Sequence, residues 1–212
     1  MPALAGLAGK TGNLNTGDNM SLEFALQKYP KEVKLKAEKK GKLRPLKKDD
    51  ELVFHEFFQA VPAEERLFIK HHVTDLAVIQ KWCKNIDYQV NLPLLAIIDG
   101  KIVGSATLHQ HQGGWKRHIG RVSVLVHPKF RGIGIARALV TNLVEIASML
   151  GLEKVEAEFI GKQAGAIKTF QLLGFSDLVK LPDYVKDMQG ITHDYILMGL
   201  DLTTDEEYAG MG

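Results

Sequence analysis

Only one cysteine, Cys83, stands among the 212 residues, so no internal disulfide can form and the fold must be held by its core. That usage suits a reducing compartment, and the expected location is cytoplasmic. The apolar setting of Cys83 beside Trp82 reads as a buried core thiol rather than a nucleophile. Long hydrophobic runs are also missing. The longest, Leu92 to Ile98, is far below the roughly 20 residues that cross a bilayer, and Met1 to Leu7 lacks a preceding basic segment and is too short for a signal core. No membrane partner is expected. Aromatic residues make up 8% of the chain and do not interleave with its most basic stretch. That stretch, Lys28 to Lys48, holds ten basic and two acidic residues, a net +8 that leaves −6 for the rest of a chain at +2. Without bases to stack, it reads as a solvated surface, and nucleic acid is not an expected partner. His109 and His111 have no cysteine or carboxylate at ligand spacing, so no metal is expected.

What is plentiful is apolar content, 45% of residues, enough for the core of one domain. Residues 1–30 read as a flexible leader, with Met20 a second candidate start, 31–202 as one α/β domain and 203–212 as an acidic tail. Val33 to Lys36 and Lys42 to Leu46 alternate apolar and charged residues as a hairpin, with Pro45 at a strand edge. Asp49-Asp50-Glu51 opens a helix carrying Leu52, Phe54, Phe57, Phe58 and Val61. A short helix follows over Ala63 to Phe68, and Thr74 or Asp75 caps another bearing Leu76, Ile79, Cys83 and Ile86. The phenylalanines read mainly as core, with a substrate wall as the alternative. Asp99-Gly100 supplies the positive-φ pair of a tight hairpin turn, joining Leu94 to Ile98 with Lys101 to His109. A third strand, Ile119 to Val126, precedes a helix over Gly132 to Leu150. Then come a strand, Lys154 to Ile160, a helix, Ala164 to Leu172, and a last hairpin of Asp177 to Lys186 with Thr192 to Leu202.

The centre of this order is Val124 to Leu139: an apolar strand, a stop at Pro128, a turn with Gly132 and Gly134, and a long amphipathic helix. A helix start exposes unpaired N–H groups and partial positive charge, so such a turn is an anion site. Arg131-Gly132-Ile133-Gly134-Ile135-Ala136 fits the pattern Gln/Arg-x-x-Gly-x-Gly/Ala, and Gln163 to Phe175, ending Leu173-Gly174-Phe175, fits Asn-x-x-Ala-Ile-x-x-Tyr-x-x-Leu-Gly-Phe. With these two motifs the chain, from Lys42 to Leu202, resembles the GNAT acetyltransferase superfamily. The resemblance implies an α/β fold: a mixed, mostly antiparallel twisted sheet whose central parallel pair is splayed at the coenzyme A site, flanked by helices.

It further implies acetyl transfer from acetyl-coenzyme A, as co-substrate, to a primary amine: a protein lysine or N-terminus, or a small amine. The loop Arg131, Gly132, Ile133, Gly134, Ile135 and Ala136 would hold the pyrophosphate, through N–H groups from about Phe130 to Ala136. The backbone of Leu125 and Val126 would bind the pantetheine arm, with Gln163 and Phe170 completing the coenzyme site. Glu158 resembles the base carboxylate of members acting on ribosomal-protein N-termini, and also reads as an outward-facing strand glutamate. Glu156 is its reserve, and His109, His111 and His118 border the acceptor side. The tyrosine acid of many members is Phe170 here, with Tyr184 and Tyr195 as replacements, and the usual strand glutamate falls near Gly120 or Arg121. These departures motivate the alternative of a non-catalytic acetyl-coenzyme A sensor. The basic arm is expected to help shape the acceptor site, and a homodimer is left open.

Overall fold

A computed structural model describes residues 16–66, 69 and 72–202. The acidic tail 203–212, the first half of the leader, Phe68 and His71 lie outside the described residues. An eight-stranded sheet forms in the order β1-β2-β3-β4-β5-β6-β8-β7. Its strands are β1 (Lys31–Lys34), β2 (Lys40–Pro45), β3 (Asn91–Ile98), β4 (Lys101–His109), β5 (Ile119–Val126), β6 (Lys154–Ile160), β7 (Ser176–Lys186) and β8 (Thr192–Asp201). All neighbours run antiparallel except β5 and β6. This is the mixed, mostly antiparallel sheet that the sequence implied. The helices are α1 (Thr16–Gln27), α2 (Glu51–Gln59), α3 (Ala63–Arg66), α4 (Leu76–Lys84), α5 (Ile135–Met149) and α6 (Ala164–Gln171).

Strand alternation divides the interior into two cores. One face of the sheet packs Val103, Val122, Val155 and Ala157 against Ile135, Leu139, Leu143 and Ile146 of α5 and Phe170 of α6. The opposite face packs Leu95 and Leu125 against Phe54, Phe57 and Phe58 of α2 and Ile79 and Cys83 of α4. Cys83 is thus the buried core thiol expected, and burial pushes its pKa up to about 11. Leu52, placed on the α2 stripe by its spacing, instead faces solvent. The Asp75 carboxylate caps α4 by accepting from the Ala77 N–H at 2.9 Å, and Gly151, at φ +75°, follows α5 as the expected left-handed stop.

The expected leader, 1–30, contains the helix α1, whose Leu22 and Ala25 are buried. Its continuation is pinned to α5: Lys28 and Lys31 both meet Glu145, and the Tyr29 hydroxyl donates to Asn142.

The fit between α5 and β4 depends on Gly104. A Cβ there would lie 2.6 Å from Ile135 Cγ2 and 3.1 Å from Leu139 Cδ1. Gly104→Val must therefore push the start of α5 off the sheet. Overpacking of this kind costs about 1–3 kcal/mol, and urea unfolding of the variant is expected to show a loss in the upper half of that range. Wild-type stability would show that α5 does not seat here.

Candidate active site

The β5–β6 ladder is short. Parallel pairing runs from Ile119–Lys154 to Arg121–Glu156 and then stops, so the two strands part beyond Arg121. The gap opens into a cleft of about 1180 Å³ floored by β4, β5 and β6 and walled by α2, α4, β8 and the β7–β8 turn.

The backbone lining of the gap follows from strand pairing. The His127 N–H donates to the Val103 carbonyl at 2.9 Å, and Ser105 lies opposite Leu125 in the same register. Residues 127, 125, 123 and 121 therefore spend their peptide groups on β4, while those of Val122, Val124 and Val126 face away from it. This corrects one expectation: the Leu125 backbone is taken by β4, and Val124 joins Val126 at the gap. The Leu125 side chain still lines the cleft.

After Val126 the chain makes a 3₁₀ turn, Pro128–Phe130, in which the Phe130 and Arg131 N–H groups bond back to His127 and Pro128. Gly132 and Gly134 then adopt φ +79° and +95°, with nothing within 4 Å of where a Cβ would stand. Glycine is needed there for its left-handed backbone and not for lack of room. The N–H groups of residues 132–137 find no acceptor among the described residues. The donor row is thus shifted from the expected Phe130 to Ala136, because the 3₁₀ turn uses its first two members. Helix α5 begins only at Ile135, whose side chain is buried against Gly104, so Ile135 offers this surface its N–H alone. Ala136 is half-buried, and the Ile133 carbonyl accepts from the Lys36 N–H at 3.0 Å.

That last bond seats the β1–β2 hairpin on the loop, and Lys39 Nζ stands 5.5 Å over the Phe130 ring. The basic hairpin thus borders the glycine loop, and Leu46, further along the same basic arm, lines the cleft. Arg131 also departs from its expected place. Its guanidinium donates to the Val126 carbonyl at 3.3 Å and to Glu65 of α3 at 2.7 Å, tying α3 to the loop.

Gln163 precedes α6, and its Oε1 accepts from the Ile160 N–H at 2.9 Å, closing the end of β6. Phe170 is 1% exposed and sits between Phe159 and Phe175, with ring centroids 4.9 and 4.8 Å away. The ring at the family's tyrosine position is therefore a core side chain beneath the cleft.

The reactive groups gather on the other face. Val155, Ala157 and Phe159 point to α5 and α6, which turns Glu156 and Glu158 to the cleft side. Glu158 Oε2 accepts from Arg121 Nη1 at 3.1 Å and Oε1 from the Tyr195 hydroxyl at 3.3 Å. Burial, followed by the charge of Glu158, pushes the Tyr195 hydroxyl up to about 12. Glu156, the reserve, pairs with Lys116 at 3.4 Å, and Tyr184 is largely exposed with its ring 5.9 Å from that of Tyr195. Gly120 lies on the opposite face, where a Cβ would stand 2.8 Å from both Leu108 Cδ1 and Leu152 Cδ1. Of the two positions near which the usual strand glutamate falls, Gly120 turns into the core and Arg121 faces the cleft.

Of the three histidines expected near the acceptor side, only His109 lines the cleft. Its Nδ1 lies 2.7 Å from Asn91 Oδ1 and its Nε2 3.1 Å from Ser123 Oγ. The Asn91 carbonyl oxygen can only accept, so Nδ1 carries the proton, Nε2 accepts, and the Ser123 hydroxyl donates to it. The lone pairs of Ser123 are then left to accept from the cleft. Asn91 and Ser123 escaped the sequence reading because three separate strands bring this trio together. The one available signal was the period of two that puts Ser123 on the face of Arg121.

Burial, then the nearby Arg121 charge, lowers the His109 pKa to about 4. Its ordinary value, that of an unfolded chain, is about 6.5. Between these values the unfolded chain binds the extra proton, so stability falls as pH drops from about 6.5 to about 4, by up to about 3 kcal/mol. Urea unfolding at pH 7 and pH 4.5 is expected to show this loss, and His109→Gln to remove most of it. Equal pH dependence in both proteins would show that His109 titrates normally.

Residues 55–175 match the acetyltransferase (GNAT) family. Among solved structures, the chain is similar to yncA from Salmonella typhimurium, solved with its cofactor acetyl-CoA, at 20% identity and TM-score 0.64 over 77% of this chain and 94% of that one. It is also similar to the GNAT domain of S. lividans PAT, at 18% identity and TM-score 0.66 over 80% and 95%. Ribosomal-protein-S5-alanine acetyltransferase from Vibrio fischeri superimposes with TM-score 0.68 at 16% identity, over 76% and 92%. These likenesses are of fold. The family match spans more than half of the sequence and takes in the β5–α5 loop and the Leu173-Gly174-Phe175 segment: the chain belongs to the acetyltransferase (GNAT) family.

Proposed function

We propose that this acetyltransferase moves the acetyl group of acetyl-coenzyme A to a primary amine held on the cleft face of β5 and β6. One observation carries the reading: a row of N–H groups, 132–137, with no acceptor among the described residues stands at the start of α5, a few residues beyond the gap that exposes Val124 and Val126. Such a row suits a pyrophosphate, with the helix start adding favourable charge. The residues fit the coenzyme, since both glycines leave open space where a side chain would intrude. The pantetheine arm would lie in the gap against Val124 and Val126, and an N–H there would polarise the thioester carbonyl. The neighbour solved with acetyl-CoA supports this choice of donor.

Glu158 takes a proton from the acceptor ammonium. The freed nitrogen attacks the thioester carbonyl carbon, the C–N bond forms, and the C–S bond breaks. The second N–H proton passes to the thiolate, relayed by the Tyr195 hydroxyl or by solvent, and coenzyme A leaves as free thiol. A model amine of pKa about 10.4 costs roughly 4–5 kcal/mol to deprotonate at pH 7, which is why a carboxylate on this face matters. A thiol-release assay over a panel of amines tests the reading. Release that depends on the amine supports it, whereas tight coenzyme binding with no turnover on any acceptor would favour a non-catalytic sensor.

A further inference from the structure

The acceptor face carries its charges as an opposed pair. Arg121 and Glu158 are each nearly half exposed, and ion pairs in such positions are worth at most about 1 kcal/mol, so a ligand can open theirs at little cost. Beyond the bond to Glu158, the guanidinium N–H groups of Arg121 make no hydrogen bond among the described residues. Ser123, two positions along the same strand face, is a committed acceptor because its proton is held by His109.

The remaining cleft charge rules against polycations. Glu65 and Asp187, which also line the cleft, are occupied by Arg131 and His193. Among the described lining residues, that leaves Lys81, Arg121 and Lys186 against Asp87 and Glu158. A polyamine or an aminoglycoside would meet too few carboxylates, whereas an acceptor bringing its own carboxylate would be balanced.

Resting on the proposed acetyl transfer, we infer that the acceptor is a free α-amino acid with an apolar side chain. Arg121 receives its carboxylate, a guanidinium fork being the matched partner for that group. Glu158 and the Ser123 oxygen receive its ammonium, and Trp82, Ile86 and Val90 face the side chain. Transfer then forms the N-acetyl amide with loss of one proton to Glu158 and release of the thiol.

The test is thiol release from acetyl-coenzyme A with L-leucine, L-methionine and L-phenylalanine, with the amides of the same three, and with spermidine and Nα-acetyl-lysine amide. The acids are expected to exceed their amides at least 100-fold in kcat/KM, since a site built to bind a charged group is left unpaired by an analogue lacking it. Arg121→Met should erase that preference, bringing the ratio of kcat/KM for the acids to that for their amides to within threefold of one, whatever the loss of the Glu158 partner does to both. The wild-type comparison of acids with amides stands alone should the variant not fold. Equal rates on acids and amides, or turnover on spermidine or the lysine amide but not on the acids, would overturn this inference and leave amine acetylation standing. Silence on every acceptor would overturn both.

Discussion

Glu158→Gln is expected to lower kcat by about 10³-fold at pH 7 while leaving the dissociation constant for acetyl-coenzyme A unchanged. General-base catalysis contributes typically 10²–10⁴-fold, and an acceptor amine that is mostly protonated at pH 7 needs that base. Glutamine keeps the shape and polarity of the side chain beside Arg121 and Tyr195 but cannot take the proton. The variant should therefore recover about tenfold per pH unit as solvent supplies the free amine, until the amine's own pKa is reached. A pH profile of kcat for both proteins separates this from a positional effect, which would lower the rate equally at every pH. Wild-type kcat in the variant would remove Glu158 from the mechanism.

Gly134→Val is expected to weaken acetyl-coenzyme A binding by at least 100-fold. Two costs coincide at this residue. A β-branched side chain at φ +95° is strained by roughly 1–2 kcal/mol, and its Cβ would enter the open space in front of the free N–H row. The first cost can be measured by itself at Gly151, the other end of the same helix, which has φ +75° and equally open surroundings. Gly151→Val should lose comparable stability in urea and bind the coenzyme like the wild type. Equal affinity in both variants would show that the loop does not hold the pyrophosphate.

The sequence made some elements plain because their causes are local. Asp99-Gly100 called for two positive φ angles, and both residues have them, at +50° and +76°. The α5 stripe of Ile135, Leu139, Leu143 and Ile146 is buried along its length because its 3.6-residue period needs one apolar partner surface, and the sheet provides it. The glycine pair of the loop was legible for the same reason, since a turn with positive φ leaves its mark in single residues.

Other features depend on contacts between distant segments. Helix α1 has little apolar periodicity and is held by tertiary contact, through Leu22 and Ala25 in the core and through Lys28 and Tyr29, which follow it, on α5. The insertion of β8 between β6 and β7 is a choice of strand order that the alternation of residues within each strand does not make. The pairing of Arg131 with Glu65 joins residues 66 positions apart, so a motif that places Arg131 beside the anion loop says nothing of where its guanidinium turns. The Asn91–His109–Ser123 trio is of the same kind. The loop proposed for the donor is thus local in sequence, while the face proposed for the acceptor is assembled from β3, β4, β5, β6 and β8 and takes shape only with the sheet in place.

The decisive measurement is a crystal structure with acetyl-coenzyme A bound. The pyrophosphate oxygens are expected within 3.2 Å, an ordinary N–H···O reach, of amide nitrogens between Gly132 and Arg137. The thioester should lie in the gap beside Val124 and Val126, its carbonyl carbon turned toward the face of Arg121, Ser123 and Glu158. A pyrophosphate bound away from residues 132–137, or a thioester on the α5 side of the sheet, would contradict the account.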